Sequence, residues 1–245
     1  MTTRWDAQRY ATALRRDNER LARAATHGLD LAVPSCPGWT MSDLVWHLGE
    51  VEAFWAEIVS RGLTDWRDVV EPPRVADSAL IDWFRATGTA LADLLEQADP
   101  RVGVWSSSPQ TDVAFVQRRM AHEAALHTWD AVAAAGPTEP LDADLAVDGI
   151  GEFVDLHMPA GVRDTADAGP FSVALRATDR PARWWLEVRG GDLSTSRSEL
   201  VADAVVSATA SDLLLVLWRR IAATEVSVEG EPTALDRLVA RTGLD

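Results

Sequence analysis

The sequence contains no lysine, so all 23 basic residues are arginines, and 38 aspartates and glutamates outnumber them. The formal net charge is −15 at pH 7. Nucleic acids and anionic membranes attract basic surfaces, and a chain of this charge has little material from which to build one. We therefore expect no nucleic-acid and no membrane partner.

Cysteine is almost absent as well, and Cys36 cannot form a disulfide within the chain because no second cysteine exists. No apolar run approaches the roughly 20 residues of a membrane-spanning helix. The first residues show no basic-then-apolar leader. We therefore expect a cytoplasmic protein.

One predicted helix carries charged groups on a stripe that should be apolar. The apolar positions from Val113 to Met120 recur at the three- and four-residue spacing that gathers side chains on one helical face. The same spacing continues through Glu123, His127 and Asp130. Burying such groups costs free energy unless each finds a partner. A divalent metal would satisfy a carboxylate and an imidazole together.

A second predicted helix offers a third ligand, His47. This residue shares a stripe of similar spacing with four apolar residues, Leu44, Val51, Phe54 and Ile58. Two facing helices would then supply His47, Glu123 and His127. Three protein ligands of this kind, with one position left for water or substrate, are usual in catalytic zinc sites. The pattern predicts a site for zinc or another divalent metal.

Three neighbouring residues have weaker assignments. His122 lies five residues before His127, roughly 140° around the helix, so the two cannot bind one metal from the same helix. We place His122 beside the site. Asp130 either accepts a hydrogen bond from a ligand imidazole or lies exposed near the helix end, and both positions remain open. We interpret Cys36 as a structural residue.

The first half of the chain has the pattern of a helical bundle. A capping box of the form T-x-x-D, at Thr40 and Asp43, marks the start of the second of four amphipathic segments. The predicted helices cover approximately residues 3–27, 40–61, 76–97 and 112–135. Helices of similar length joined by loops predict a four-helix bundle, in which metal sites form between facing helices. We assign this domain residues 1–138.

The pattern changes after Pro140 to a mixture of helices and alternating strands. We predict helices over 141–158, 210–223 and 232–242, and strands over 171–177, 184–188, within 199–207 and over 225–228. This mixture predicts a small second domain over residues 139–245 and an α+β class for the whole chain.

Two motifs resemble those of the mycothiol-dependent maleylpyruvate isomerase family. They are P-S-C-P-G-W-T-M-S-D-L-V-W-H-L-G at 34–49 and R-M-A-H-E-A-A-L-H-T-W-D-A at 119–131. The segments 202–220 and 225–231 resemble the C-terminal domain of that family. The resemblance spans nearly the whole chain. It implies a metal-binding bundle of the DinB-like group followed by a small sterol-carrier-like α/β domain.

The resemblance also implies a chemistry. In that family zinc is held by residues that correspond here to His47, Glu123 and His127. The characterised activity is the cis-to-trans isomerisation of maleylpyruvate with mycothiol as thiol cosubstrate, and relatives include thiol transferases. Arg220 occupies a position where the family tends to keep an arginine. It could bind a substrate carboxylate, or lie in solvent at a helix end, and Arg119 is a weaker candidate for the same role.

The sequence therefore predicts a zinc-dependent, mycothiol-using enzyme that acts on a small electrophilic substrate, either as a cis–trans isomerase or as an S-transferase. Two alternatives remain. A non-catalytic, metal-stabilised protein that binds an apolar small molecule would need a closed cavity in residues 141–245. A metal-dependent hydrolase would need a general base near the metal, a role for which His122 is the candidate.

Overall fold

The computed structural model describes residues 5–161, 169–190 and 192–241. The chain divides into two compact units, of which the first ends at Glu139 and the second begins at Pro140. Within the described ranges, none of the helices combines the length and the apolar character needed to cross a membrane.

Four long helices form the N-terminal unit, as the sequence predicts. Their bounds are α1 Ala7–Ala25, α2 Met41–Arg61, α3 Asp77–Gln97 and α4 Val113–Ala135, and a short 3₁₀ turn, Trp66–Asp68, follows α2. Helix α1 packs against α3 and α4, and α2 packs against the same two helices. The predicted start of the first helix, at residue 3, lies outside the described residues.

Helix α2 begins and ends where its terminal residues satisfy backbone groups. The Thr40 hydroxyl accepts a hydrogen bond from the Asp43 amide, and the Asp43 carboxylate accepts one from the Thr40 amide, which completes the predicted capping box. At the other end Gly62 adopts a left-handed conformation with φ of 60°, which residues other than glycine rarely adopt. The helix that carries His47 is therefore fixed at both termini.

The buried stripe of α2 differs from the predicted one. Two series of residues with three- and four-residue steps lead from Leu44 to Ile58, one through His47 and the other through Leu48. The sequence pattern alone does not show which of the two series is buried. The structure buries the series Leu44, Leu48, Glu52, Trp55 and Ile58, whereas His47, Val51 and Phe54 are only partly buried. His47 therefore lies at the edge of the bundle core and not within it.

The C-terminal unit combines helices with a five-stranded sheet. Its helices are α5 Ala143–Glu152, α6 Met158–Gly161, α7 Ala210–Leu217 and α8 Ala234–Arg241, with a π-helical segment, Phe153–His157, joining α5 to α6. The strands are β1 Phe171–Ala177, β2 Arg183–Arg189, β3 Asp192–Ser196, β4 Ala204–Ala208 and β5 Ser227–Gly230, arranged in the order β3-β2-β1-β4-β5. The predicted α+β class is confirmed.

The centre of this sheet is the strand β1. Its residue Leu175 lies opposite Trp184 of the antiparallel β2 and opposite Val206 of the parallel β4. All three side chains are buried, and helices α7 and α8 pack against these strands. Apolar residues at alternate strand positions thus form the core of the second unit.

This unit contains one strand that the sequence pattern does not predict and one helix that is shorter than predicted. The sequence pattern does not indicate the strand β3, because four of its five residues are polar and most are exposed, so the strand lacks the alternation that marks a half-buried one. The predicted helix 210–223 ends at Leu217, because Arg219 adopts a left-handed conformation with φ of 60°. The following amide, of Arg220, then bonds back to the Leu215 carbonyl, as in a glycine-capped helix end.

Candidate metal centre

Helices α2 and α4 bring His47, Glu123 and His127 together. The Oε1 atom of Glu123 lies 3.2 Å from His127 Nε2 and 3.8 Å from His47 Nε2. The ligand atoms of the three residues all lie within 4.8 Å of one another. The two imidazole rings meet nearly at right angles, with centroids 5.3 Å apart. Three side chains distant in sequence therefore converge on one point.

These separations suit a metal ion of the size of zinc. Ligand atoms at about 2.0 Å from a tetrahedral metal lie about 3.3 Å from one another. The distance from Glu123 Oε1 to His127 Nε2, 3.2 Å, matches this value, and the distance to His47 Nε2, 3.8 Å, is somewhat longer. Two imidazoles and one carboxylate also form a donor set that zinc prefers. The three residues thus fit a divalent metal in both geometry and chemistry.

One side of this cluster is open to solvent. The side chain of His47 is 34% exposed, that of Glu123 17%, and that of His127 9%. Exposure therefore increases from α4 towards the edge of α2. A further ligand or a substrate can approach from the side of His47, as a catalytic rather than a structural site requires.

Asp130 is buried beside His127 and orients its ring. The aspartate is fully buried, and its Oδ2 lies 3.0 Å from His127 Nδ1. The Ser35 hydroxyl donates to Oδ1 at 2.6 Å, and the Cys36 thiol lies 3.8 Å from Oδ2. With a proton on Nδ1, His127 donates to Asp130 and directs Nε2 towards Glu123. Carboxylates commonly fix the ligand imidazoles of metal sites in this way.

The second oxygen of Glu123 pairs with Arg119, one turn earlier on α4. Burial acts to raise the pKa of Glu123, but the charges of Arg119 and His127 outweigh it and hold that pKa well below its usual value. Burial likewise acts to lower the pKa of His127, but Glu123 and Asp130 outweigh it and hold that pKa well above its usual value. The cluster therefore favours an ionised carboxylate.

Comparison with known proteins identifies the family. Residues 11–132 match the family model described as the mycothiol maleylpyruvate isomerase N-terminal domain, and residues 144–237 match the model of the C-terminal domain of the same enzyme. The chain belongs to the mycothiol-dependent maleylpyruvate isomerase family. The resemblance seen in the motifs is thereby confirmed, and both halves of the chain share in it.

Solved structures support the same fold. Crystal structures of the mycothiol-dependent maleylpyruvate isomerase and of a mutant of that enzyme each superpose with a TM-score of 0.62 at 11% sequence identity. Each match covers 93% of this chain and 95% of the other chain. At this identity the likeness concerns the fold alone. No curated protein matches the chain.

In this member of the maleylpyruvate isomerase family, His122 faces away from the ligand cluster. Its ring is 2% exposed and packs edge-on against Tyr10 of α1, with centroids 6.4 Å apart. The described residues contain two groups of candidate metal ligands, His47–Glu123–His127 and Cys36–His127–Asp130, and His122 belongs to neither. The hydrolase alternative therefore loses the general base that it required.

Arg220 lies in the C-terminal unit of this family member, directly after the left-handed Arg219. Its guanidinium donates to the Trp218 carbonyl at 2.9 Å. A role in substrate binding stays a prediction for this residue.

The bundle core contains a further polar pair that the sequence pattern did not suggest. Glu52 of α2 is fully buried, and Asn18 of α1 donates to its Oε1 at 2.6 Å. Among the described residues, Glu52 Oε2 and Asn18 Oδ1 have no hydrogen-bond partner. Gly88 of α3 makes room for the pair, since a Cβ atom there would lie 2.3 Å from Asn18 Nδ2. Desolvation, reinforced by the charge of Glu123 and opposed by the Asn18 hydrogen bond, raises the pKa of Glu52 to about 8.

Proposed function

We propose that this protein is a zinc-dependent enzyme that uses mycothiol to act on a small electrophilic substrate. The enzyme either isomerises this substrate with the help of mycothiol or attaches mycothiol to it. The convergence of His47, Glu123 and His127, at separations close to those of a tetrahedral zinc site, is the observation that carries the proposal. Membership of the maleylpyruvate isomerase family supports the thiol and the reaction class.

The residues of the site have separate roles in this proposal. His47, Glu123 and His127 hold zinc or another divalent metal. Asp130 keeps a proton on His127 Nδ1 and thereby directs Nε2 to the metal position. When bound, a divalent metal of this kind stabilises the thiolate form of a thiol ligand near neutral pH. The exposed side of His47 gives mycothiol and substrate access.

Isomerase and transferase chemistry differ in the fate of one bond. In both, the mycothiol thiolate adds to one carbon of an activated double bond, and the π electrons of that bond move to the activating group to form an enolate. In an isomerase the former double bond, now a single bond, rotates, and the enolate then expels the thiolate as the double bond forms again in the trans geometry. In a transferase the enolate takes up a proton from water, and the carbon–sulfur bond remains. A substrate carboxylate would bind the guanidinium of Arg220, since arginine binds carboxylates through two parallel hydrogen bonds.

Calorimetry of mycothiol binding to zinc-loaded and metal-free protein tests the central claim. We expect binding to the zinc-loaded form only, accompanied by proton release, which titrations in buffers of different ionisation enthalpy will measure. Absence of binding to both forms would refute the thiol role. It would favour the alternative of a metal-stabilised protein that binds an apolar small molecule.

The ligand assignment is tested by zinc content. We expect His47→Ala to lose tightly bound zinc, because two ligands remain. His27→Ala is the matched control, since His27 is exposed after the end of α1. Elemental analysis after dialysis measures both variants. Equal zinc in wild type and in the His47 variant would remove this residue from the site.

The reaction is tested with maleylpyruvate and mycothiol. A trans product indicates an isomerase, and a stable thioether indicates a transferase. We expect Arg220→Ala to raise KM for the anionic substrate while zinc content stays the same. Unaltered kinetics in this variant would exclude Arg220 from substrate binding.

A further inference from the structure

The two carboxylate oxygens of Glu123 have different partners. Oε1 faces the Nε2 atoms of His127 and His47, at 3.2 Å and 3.8 Å. Oε2 is engaged by the guanidinium of Arg119. The proposed metal position therefore lies beside Oε1 of Glu123, and Arg119 lies beside Oε2.

The spacing, burial and charge of Arg119 favour a stable contact with Glu123. The two residues are four apart on α4, a spacing that places their side chains next to each other on one face. The Arg119 side chain is only 9% exposed, so little solvent competes for its guanidinium. A guanidinium also remains charged at any pH at which the protein is folded. The contact is thus both local and shielded.

A glutamate can bind a metal through one oxygen or through both. If Glu123 used both oxygens, the three residues would fill four coordination positions, and a thiol would have to bind as a fifth ligand. Arg119 prevents this, because Oε2 already accepts a hydrogen bond from its guanidinium. It also selects the side-chain conformation in which Oε1 points towards His127 and His47.

We propose, building on the zinc site of the proposed function, that Arg119 is a positioning residue that holds Glu123 Oε2 and so limits this glutamate to one metal bond. Arg119 acts through Glu123 and does not bind the substrate carboxylate, for which the sequence had offered it as a weaker candidate. Its contribution is to the strength of metal binding and to the number of ligands around the metal.

Zinc affinity, measured by competition with a chromophoric chelator, tests the first consequence. We expect Arg119→Gln to bind zinc about 10- to 100-fold more weakly, the range found when a residue that orients a metal ligand is lost. Arg61→Gln is the matched control. It breaks an arginine–glutamate pair of the same spacing on α2, where the arginine side chain is 46% exposed. We expect wild-type affinity for this control.

Absorption of the cobalt-substituted protein tests the second consequence. Four-coordinate cobalt(II) absorbs more strongly in the visible range than five-coordinate cobalt(II). In the presence of a thiol, we expect strong bands from wild type and from the Arg61 control. We expect weaker bands from Arg119→Gln, because Glu123 then binds through both oxygens. A loss of stability alone would lower metal occupancy without changing the spectrum of each occupied site.

The outcomes separate this proposal from the one on which it rests. If wild type binds no zinc, the proposed function fails. If wild type binds zinc, and Arg119→Gln has the same affinity and cobalt spectrum, the role of Arg119 is refuted while the zinc site stands. If the glutamine variant does not fold, Arg119→Met decides, since methionine keeps an unbranched apolar side chain in the buried position but cannot donate to Oε2. Wild-type affinity and spectrum in the methionine variant would overturn the proposal.

Discussion

Replacement of Glu52 by glutamine tests whether the bundle core contains a neutral carboxylic acid. Glu52 is fully buried, and its pKa is raised to about 8, chiefly by desolvation. Glutamine has nearly the same shape and is neutral at every pH. Its amide nitrogen can also donate to Asn18 Oδ1, which has no partner among the described residues. We therefore expect Glu52→Gln to fold into the same bundle.

The expected effect on stability follows from the two pKa values of Glu52. The folded value is about 8 and the ordinary value is 4.5. Between them the folded state retains a proton that the unfolded state has lost, so the free energy of unfolding falls as pH rises through this window. The slope reaches about 1.4 kcal/mol per pH unit. Between about pH 5.5 and about pH 8 the free energy of unfolding of the wild type falls by about 3 kcal/mol because of Glu52, and that of the glutamine variant does not show this decrease.

Urea unfolding at a series of pH values measures this difference. A chelator is present throughout, so that competition between protons and metal at the neighbouring cluster does not contribute. We expect the stability of Glu52→Gln relative to wild type to increase steadily from about pH 5.5 to about pH 8, with equal m-values. Glu50→Gln, at a partly exposed position of the same helix, is the control. A difference between Glu52→Gln and wild type that does not vary with pH would refute the argument.

Three further variants test the site and the bundle. Asp130→Asn removes the carboxylate that orients His127, and we expect zinc affinity in a chelator competition to fall by about 10- to 100-fold; wild-type affinity would contradict the assigned orientation. Gly88→Ala places a Cβ 2.3 Å from Asn18 Nδ2, so we expect a loss of about 1–3 kcal/mol in urea unfolding despite the better helix propensity of alanine. A variant as stable as wild type would show that α1, α2 and α3 can move apart here with little loss of free energy. Thr40→Ala removes the capping box of α2 and should cost about 1 kcal/mol by the same measurement; no loss would mean that the helix start is held by tertiary packing.

The sequence predicts most accurately those features that depend on neighbours along the chain. The four-residue spacing of Glu123 and His127 places them on one face of any helix, and the structure shows them together. The capping box of Thr40 and Asp43 is likewise complete within four residues. Local geometry determines both, so they could be predicted without knowledge of the fold.

The features that the sequence did not reveal depend on contacts between distant segments. Ser35 meets Asp130 across 95 positions of sequence, and Asn18 meets Glu52 across 34. Neither pair follows a period that helices or strands would repeat. The choice of buried stripe on α2 also depended on which neighbours the helix packs against. Such contacts appear only once the helices are assembled, because no local pattern encodes them.

Asp130 forms hydrogen bonds with residues of two different elements. It contacts His127 within α4, and Ser35 in the loop that leads from α1 to α2. Local opening of either element must break a bond of the other, so the loop and this part of α4 should exchange amide hydrogens as one cooperative unit. A ligand that binds only the closed form lowers the population of the open form. Deuterium uptake around Ser35 should therefore decrease when zinc is added, although Ser35 is not among the proposed zinc ligands.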